Sequence, residues 1–263
     1  MYYRDQHCHT EFSFDSKEKF ENYLKLAKGD IITTEHLDYG FTYNDGRVED
    51  VDIDYDKYVK VIEEHNQKSS QKILKGIEIG YTTENLEKIK NTVNSRDYDI
   101  QLLSIHQYGG KDFMNPKPED YSQREFLTNY FEKMLEAVNN FKDFDVLTHI
   151  DYALRLNKLE SKNMDIVDEY LTKVLAEIIN DEKALELNTR SVYQYDNLEY
   201  YTFALKKYVK MKGKLFSVGS DAHYENYYRY HFDDAFKLLK SVDAKYLAMF
   251  ENRKMTTIKM EDM

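Results

Sequence analysis

The chain of 263 residues contains no tryptophan and one cysteine, Cys8. A single thiol excludes an internal disulfide framework and fits a reducing compartment. No apolar run approaches the ~20 residues needed to span a bilayer. The charged, histidine-bearing start is no signal peptide, so a cytoplasmic protein with no membrane partner is expected. No glycine-rich phosphate loop follows the first apolar run, which counts against a doubly wound open sheet. Basic residues are outnumbered, 37 Lys and Arg against 48 Asp and Glu, for a net charge of -11. That balance argues against a nucleic-acid partner, because phosphate backbones need basic patches. It does not argue against a small phosphorylated substrate, since bound cations and a few arginines can make a local positive pocket. The 24 tyrosines read as packing, because their spacing suggests no stacking platform.

What is present is an alternation. Short apolar runs lie near residues 2–8, 30–34, 73–79, 99–105, 146–150, 184–188 and 215–219. Amphipathic stretches lie near 17–27, 55–67, 85–93, 123–141, 164–179, 200–210 and 233–239. In the fourth of these, Phe126, Leu127, Tyr130, Phe131, Met134, Leu135 and Val138 recur at helical spacing. Seven strand–helix repeats imply mostly parallel strands with helices outside. With no linker-like stretch to split them, residues 1–263 are expected to form one α/β domain, a (β/α) barrel. Residues 38–56, rich in acids and holding Gly40 and Gly46, read as a long loop over one barrel end. Residues 246–250 read as an extra strand before a short terminal helix.

The ends of the apolar runs carry the chemistry. The first ends at His7 and His9, the second at Glu35-His36, and the third carries Glu78. The fourth ends at His106, the fifth at His149, and the seventh runs into Asp221-Ala222-His223. On an extended segment His7 and His9 share a face and Cys8 points away, so thiolate ligation is not expected. Six of the 8 histidines thus lie at a strand's C-terminal end, and in a parallel barrel those ends share the face where active sites form. Singly, His36 or His149 reads as a packed or capping residue, and Glu78 or Asp221 as a helix cap. As a set on one rim they read as a polynuclear metal site. His65, inside a helix, reads as solvated. His231 either lines the pocket or sits on a helix.

His7, His9, Asp15, His36, Glu78, His106, His149, Asp221 and His223 give nine candidate ligands. A catalytic ion takes about three protein ligands, so three divalent ions are expected, with Glu78 bridging two. Zinc, manganese and iron all suit such donors. Multinuclear sites of this kind serve hydrolytic displacement, with a bridging hydroxide as the expected nucleophile.

The ordered set His7-Cys8-His9, Asp15, Thr34-Glu35-His36, Glu78, His106, His149 and Asp221-Ala222-His223 resembles the PHP (polymerase and histidinol phosphatase) superfamily along essentially the whole chain. The resemblance implies a distorted (β/α)7 TIM-like barrel and usually three divalent metals. It places His7, His9, Glu78 and Asp221 on the first metal and Glu78, His106 and His149 on the second. Asp15, His36 and His223 go to the third; some members carry histidine where Asp15 stands. Chain length, the stretch His149-Ile150-Asp151-Tyr152-Ala153-Leu154-Arg155 and Asn188-Thr189-Arg190 further resemble the stand-alone histidinol-phosphate phosphatases. That implies hydrolysis of L-histidinol phosphate to L-histidinol and phosphate in histidine biosynthesis. Arg155 and Arg190 would clamp the phosphate, and Arg229 is a third candidate. Asp15, His36 and His231 are candidates to assist the leaving group, and an acid within residues 38–56 to meet the substrate's ammonium and imidazole. The alternatives are a PHP phosphoesterase acting on another small phosphomonoester or on protein phosphotyrosine, and a non-catalytic metal-binding regulatory module. The sequence does not set the oligomeric state.

Overall fold

The computed structural model describes residues 2–43, 45–114 and 122–263. In chain order the elements are α1 (Phe20–Leu26), β1 (Ile31–Thr42), β2 (Val48–Val51), α2 (Tyr55–Lys68), β3 (Ile73–Gly80) and α3 (Leu86–Asn94). There follow β4 (Ile100–Ser104), the small hairpin β5 (Gln107–Tyr108) and β6 (Lys111–Asp112), α4 (Gln123–Asn140), β7 (Val146–Leu147) and α5 (Met164–Asn180). The chain ends with β8 (Ala184–Asn188), α6 (Leu198–Lys210), β9 (Leu215–Gly219), α7 (Phe232–Ser241), β10 (Tyr246–Glu251) and β11 (Lys254–Lys259). All seven expected helices are present. The apolar face read in the fourth forms the buried side of α4, whose start is fixed by Ser122 accepting from the Glu125 N–H at 3.2 Å.

The strands β1, β3, β4, β7, β8 and β9 run parallel in that order, with antiparallel β2 beyond β1 and the β10–β11 hairpin beyond β9. The seventh barrel position belongs to the N-terminal segment. The expected first strand is extended but makes only a lone parallel bridge, Cys8 to Ala222. It closes the barrel by spaced hydrogen bonds. The Thr34 N–H donates to the Cys8 carbonyl at 2.8 Å on one side. On the other, the Asp221 N–H donates to the His7 carbonyl at 2.7 Å and the His9 N–H to the Ala222 carbonyl at 2.8 Å. The result is a distorted (β/α)7 barrel.

Strand alternation explains why this barrel carries chemistry at one end only. One inward-facing set packs the interior: Ile32, Leu74, Ile100, Leu102, Val146, Ala184, Ala248 and Phe250. Stepping up the same faces by twos reaches His36 from Ile32, Glu78 from Leu74, His106 from Leu102 and Glu186 from Ala184. The apolar plug therefore floors a charged upper layer. The opposite faces of the strands pack under the helices in the main core.

Two expectations are corrected here. Residues 38–56 are largely a β-hairpin rather than a loop, because β1 continues past its parallel pairing with β3 and turns back onto β2. The strand at 246–250 is present, but a second strand, β11, precedes the terminal turn at Met260–Asp262. Among the described residues no helix is long and apolar enough to cross a membrane.

Candidate metal centre

Glu78 stands in the middle of the upper layer, 1% exposed. Its Oε1 lies 2.6 Å from His149 Nε2 and 3.1 Å from His106 Nε2. Its Oε2 lies 3.2 Å from His36 Nδ1 and 3.4 Å from Nε2 of both His7 and His9. Asp221 Oδ1 approaches His9 Nε2 at 3.5 Å and His7 Nε2 at 3.9 Å. At the outer edge Asp15 Oδ2 is 2.9 Å from His223 Nε2 and 3.5 Å from His36 Nε2. All nine side chains singled out in the sequence therefore meet on one rim. Donor atoms within 4.8 Å of one another group as His7, His9 and Glu78, as Glu78, His106 and His149, and as His7, His149 and Asp221. His9, His36 and His223 form a further group, and His36, Asp38 and His106 another. Asp38 is thus a neighbour that the motif reading did not include.

Backbone shape serves this convergence. Asp221 holds a left-handed φ of 53°, costly for a residue with a Cβ, and its N–H is fixed to the His7 carbonyl. Gly80 cannot be replaced freely, because a Cβ there would stand 1.8 Å from Asp38 Oδ1 and 3.2 Å from His106 Nδ1.

The donor set fits divalent cations. Nε2 of His7 and of His9, both ring nitrogens of His36, Oδ2 of Asp38 and Oε2 of Glu78 are buried without a hydrogen-bond partner. Buried polar atoms are ordinarily paired, and such a convergence of unpaired acceptors is satisfied by cations. Burial pulls the His9 imidazole down, with His36 and His223 adding to it, to about 3. It is therefore neutral, as a metal-binding imidazole must be. Without a cation, burial pulls His106 down too, but the carboxylates of Asp38 and Glu78 outweigh it and hold the ring at about 10, so this imidazole gives up a proton when it takes a metal. Burial pushes the Glu78 and Asp221 carboxyls up, yet neighbouring imidazoles and, for Asp221, the Arg155 and Arg190 guanidiniums keep both well below the usual carboxylate range.

The two expected arginines flank this centre. Arg155, 5% exposed, donates from Nη2 to Asp221 Oδ2 at 2.7 Å and from Nε to Ser191 Oγ at 3.0 Å. Arg190 reaches the Asp221 carboxylate at 3.5 Å from the solvent side. Both line a cleft of about 270 Å³ above the rim, whose further walls are Phe14, Phe41, Asp112, Met114, Tyr152 and Tyr195.

Other sequence candidates lie elsewhere. His231 stacks on Tyr193 at 4.5 Å between centroids, bonds Asp234 Oδ2 through Nδ1 at 2.8 Å and lines a separate cavity. Arg229 bonds the Tyr3 carbonyl and packs on Tyr2 and Phe232. The left-handed turns at Arg229 and His231 carry this segment away from the cleft. His65 is not simply solvated, since its Nε2 lies 2.9 Å from the Gln71 carbonyl. Cys8 points away from the rim, its thiol 3.2 Å from the Ile32 carbonyl. Of the acids in residues 38–56, Asp45 and Glu49 pair with Arg47, Asp50 with Lys88 and Asp52 with Arg96. Only Asp38 lines the cleft, and it is engaged by His106. Among the described residues, Asp112, outside that stretch, is the acid that faces the cavity without pairing to a rim histidine.

The PHP domain family matches residues 5–190. A probable histidinol-phosphatase of Clostridium acetobutylicum is 31% identical over 95% of this chain and 98% of its own. One of Thermotoga maritima is 26% identical over 97% and 99%. In fold, the chain resembles the crystal structure of histidinol phosphate phosphatase from Lactococcus lactis, complexed with zinc, L-histidinol and phosphate. The TM-score is 0.84 at 24% identity, covering 96% of this chain and 98% of that one. On the extent of the family match and the identity to its Clostridium relative, the chain belongs to the PHP domain family.

Proposed function

We propose that this protein is a histidinol-phosphatase, hydrolysing L-histidinol phosphate to L-histidinol and phosphate. The observation that carries the reading is the rim itself. Six histidines and the carboxylates of Glu78 and Asp221 converge beside two arginines, in a chain alignable end to end with a probable histidinol-phosphatase.

Three divalent ions, zinc foremost, would be held by His7, His9, Glu78 and Asp221, by Glu78, His106 and His149, and by Asp15, His36 and His223. Such ions supply positive charge for phosphoryl oxygens and activate a water nucleophile near neutral pH. Arg155 and Arg190 bind the non-bridging oxygens and offset the charge that builds in the transition state. The bond from Arg155 to Asp221 aims that guanidinium before substrate arrives. Asp15, whose side chain is 35% exposed, stands on the solvent side of the buried His36, placed to assist the departing alcohol. Asp112 takes the substrate's cationic end, with Phe14, Phe41 and Met114 as its apolar wall.

The test is phosphate release from L-histidinol phosphate beside a panel of phosphomonoesters, including a phosphotyrosine peptide. A preference of ten-fold or more in kcat/KM for histidinol phosphate is expected. Equal rates across the panel would overturn the assignment.

A further inference from the structure

Behind the rim, and outside the ligand set, sits a carboxylate that the sequence did not single out. Glu186 is the inward residue of β8 and is 1% exposed. Its Oε1 lies 2.7 Å from His7 Nδ1. Its Oε2 accepts from the His149 N–H at 2.8 Å and from Asn188 Nδ2 at 3.1 Å. Its surroundings are closed, because a Cβ on Gly219 of the adjoining strand would stand 2.4 Å from both Glu186 Oε1 and His7 Cβ. Its ion-pair partner among the described residues is the His7 ring.

We propose that Glu186 is a positioning residue for two of the three metals: it fixes the proton of His7 on Nδ1, so that Nε2 presents its lone pair to the rim, and anchors the backbone that carries His149. The inference rests on the metal-centre reading above. An imidazole that gives one N–H to a carboxylate has its tautomer and plane set and its other nitrogen made more basic. Here one carboxylate does this for His7 and also holds the segment bearing His149. His7 and His149 come from opposite sides of the barrel and serve different ions in the proposed assignment.

The hydrogen-bond inventory makes the requirement specific to a carboxylate. All three partners of Glu186 are donors: the His7 Nδ1–H, the His149 N–H and the Asn188 amide. Glutamine has the same shape but only one acceptor oxygen. If that oxygen faces His149 and Asn188, its NH2 faces His7 and favours the tautomer with the proton on Nε2, which cannot bind metal. If it is turned the other way, the NH2 meets two donors.

The experiment is a titration of chelator-stripped protein with cobalt(II), followed by visible absorption and by calorimetry. Wild type is compared with Glu186→Gln, with circular dichroism checking the fold of each. Two binding steps are expected to weaken about 10–100-fold. The step belonging to Asp15, His36 and His223, which Glu186 does not touch, should keep its affinity. Unchanged affinities, or a uniform loss across all steps, would overturn the positioning role. Wild type taking up no cobalt would overturn the metal-centre reading on which it rests. Should Glu186→Gln not fold, Glu186→Asp, charged but one methylene too short to reach both His7 and His149, is read by the same selective loss.

Discussion

His106 and Asp38 form a hydrogen-bonded pair, Nδ1 to Oδ1 at 2.7 Å, that leaves the Nε2 of the ring facing Glu78. A carboxylate in that position sets the ring's plane and raises its basicity as a ligand. Asp38→Asn is expected to lower metal content and cut kcat about 10–100-fold. Elemental analysis and phosphate-release assays report both. Full metal occupancy with unaltered turnover would remove Asp38 from the site.

Arg190→Lys should be far from conservative. A guanidinium binds phosphate through a planar fork, and an ammonium is a point charge. A fall in kcat/KM of about 10²-fold is expected from losing a donor of this kind, with thermal stability unchanged because Arg190 is part-exposed. A loss confined to stability would contradict the clamp.

Asp112→Asn should separate substrate recognition from chemistry. KM for histidinol phosphate is expected to rise about ten-fold, in line with losing one charge-assisted contact. Hydrolysis of p-nitrophenyl phosphate, which has no cationic group, should proceed at the wild-type rate. Parallel losses on both substrates would place Asp112 in the chemical step instead.

Metal removal should make stability pH-dependent. In the stripped protein burial lowers the His106 ring's affinity for its proton, but the carboxylates of Asp38 and Glu78 overcome this and raise it from 6.5 to about 10. A folded-state value above the unfolded one stabilises fully below the unfolded value and is lost as pH climbs through the folded one. The Tm of chelated protein should therefore decline between about pH 6.5 and 10, and reloading zinc should flatten the curve. A stripped-protein Tm that rises over that window would contradict the imidazolium–carboxylate account.

The strand-and-helix alternation was legible because inward and outward faces alternate at period two, and the helices bury a 3.6-residue stripe. The rim was legible because its histidines and Glu78 fall where those periods end. Asp38, Asp112 and Glu186 were not. With 48 acidic residues, sequence alone does not tell which carboxylate turns inward, and Glu186 looks like any polar residue in the run Ala-Leu-Glu-Leu-Asn. The acids of residues 45–52 drew attention by their density, yet they pair with Arg47, Lys88 and Arg96. His231 misled because proximity in sequence to His223 carried no information about the left-handed turns between α7 and the rim.

Closure of the barrel by residues 3–9 has a bearing on biogenesis. His7 is made well before Asp221, whose N–H seals it in place, because most of the barrel lies between them in sequence. Contacts of such long sequence separation form late and slowly. The ion that His7 and Asp221 are proposed to share therefore cannot be gripped on a half-made chain. On the proposed assignment the site shared by His7 and Asp221 is complete only once the segment after β9 is in place, whereas Glu78, His106 and His149 all precede β9 in the chain, so filling of that shared site would report closure of the barrel.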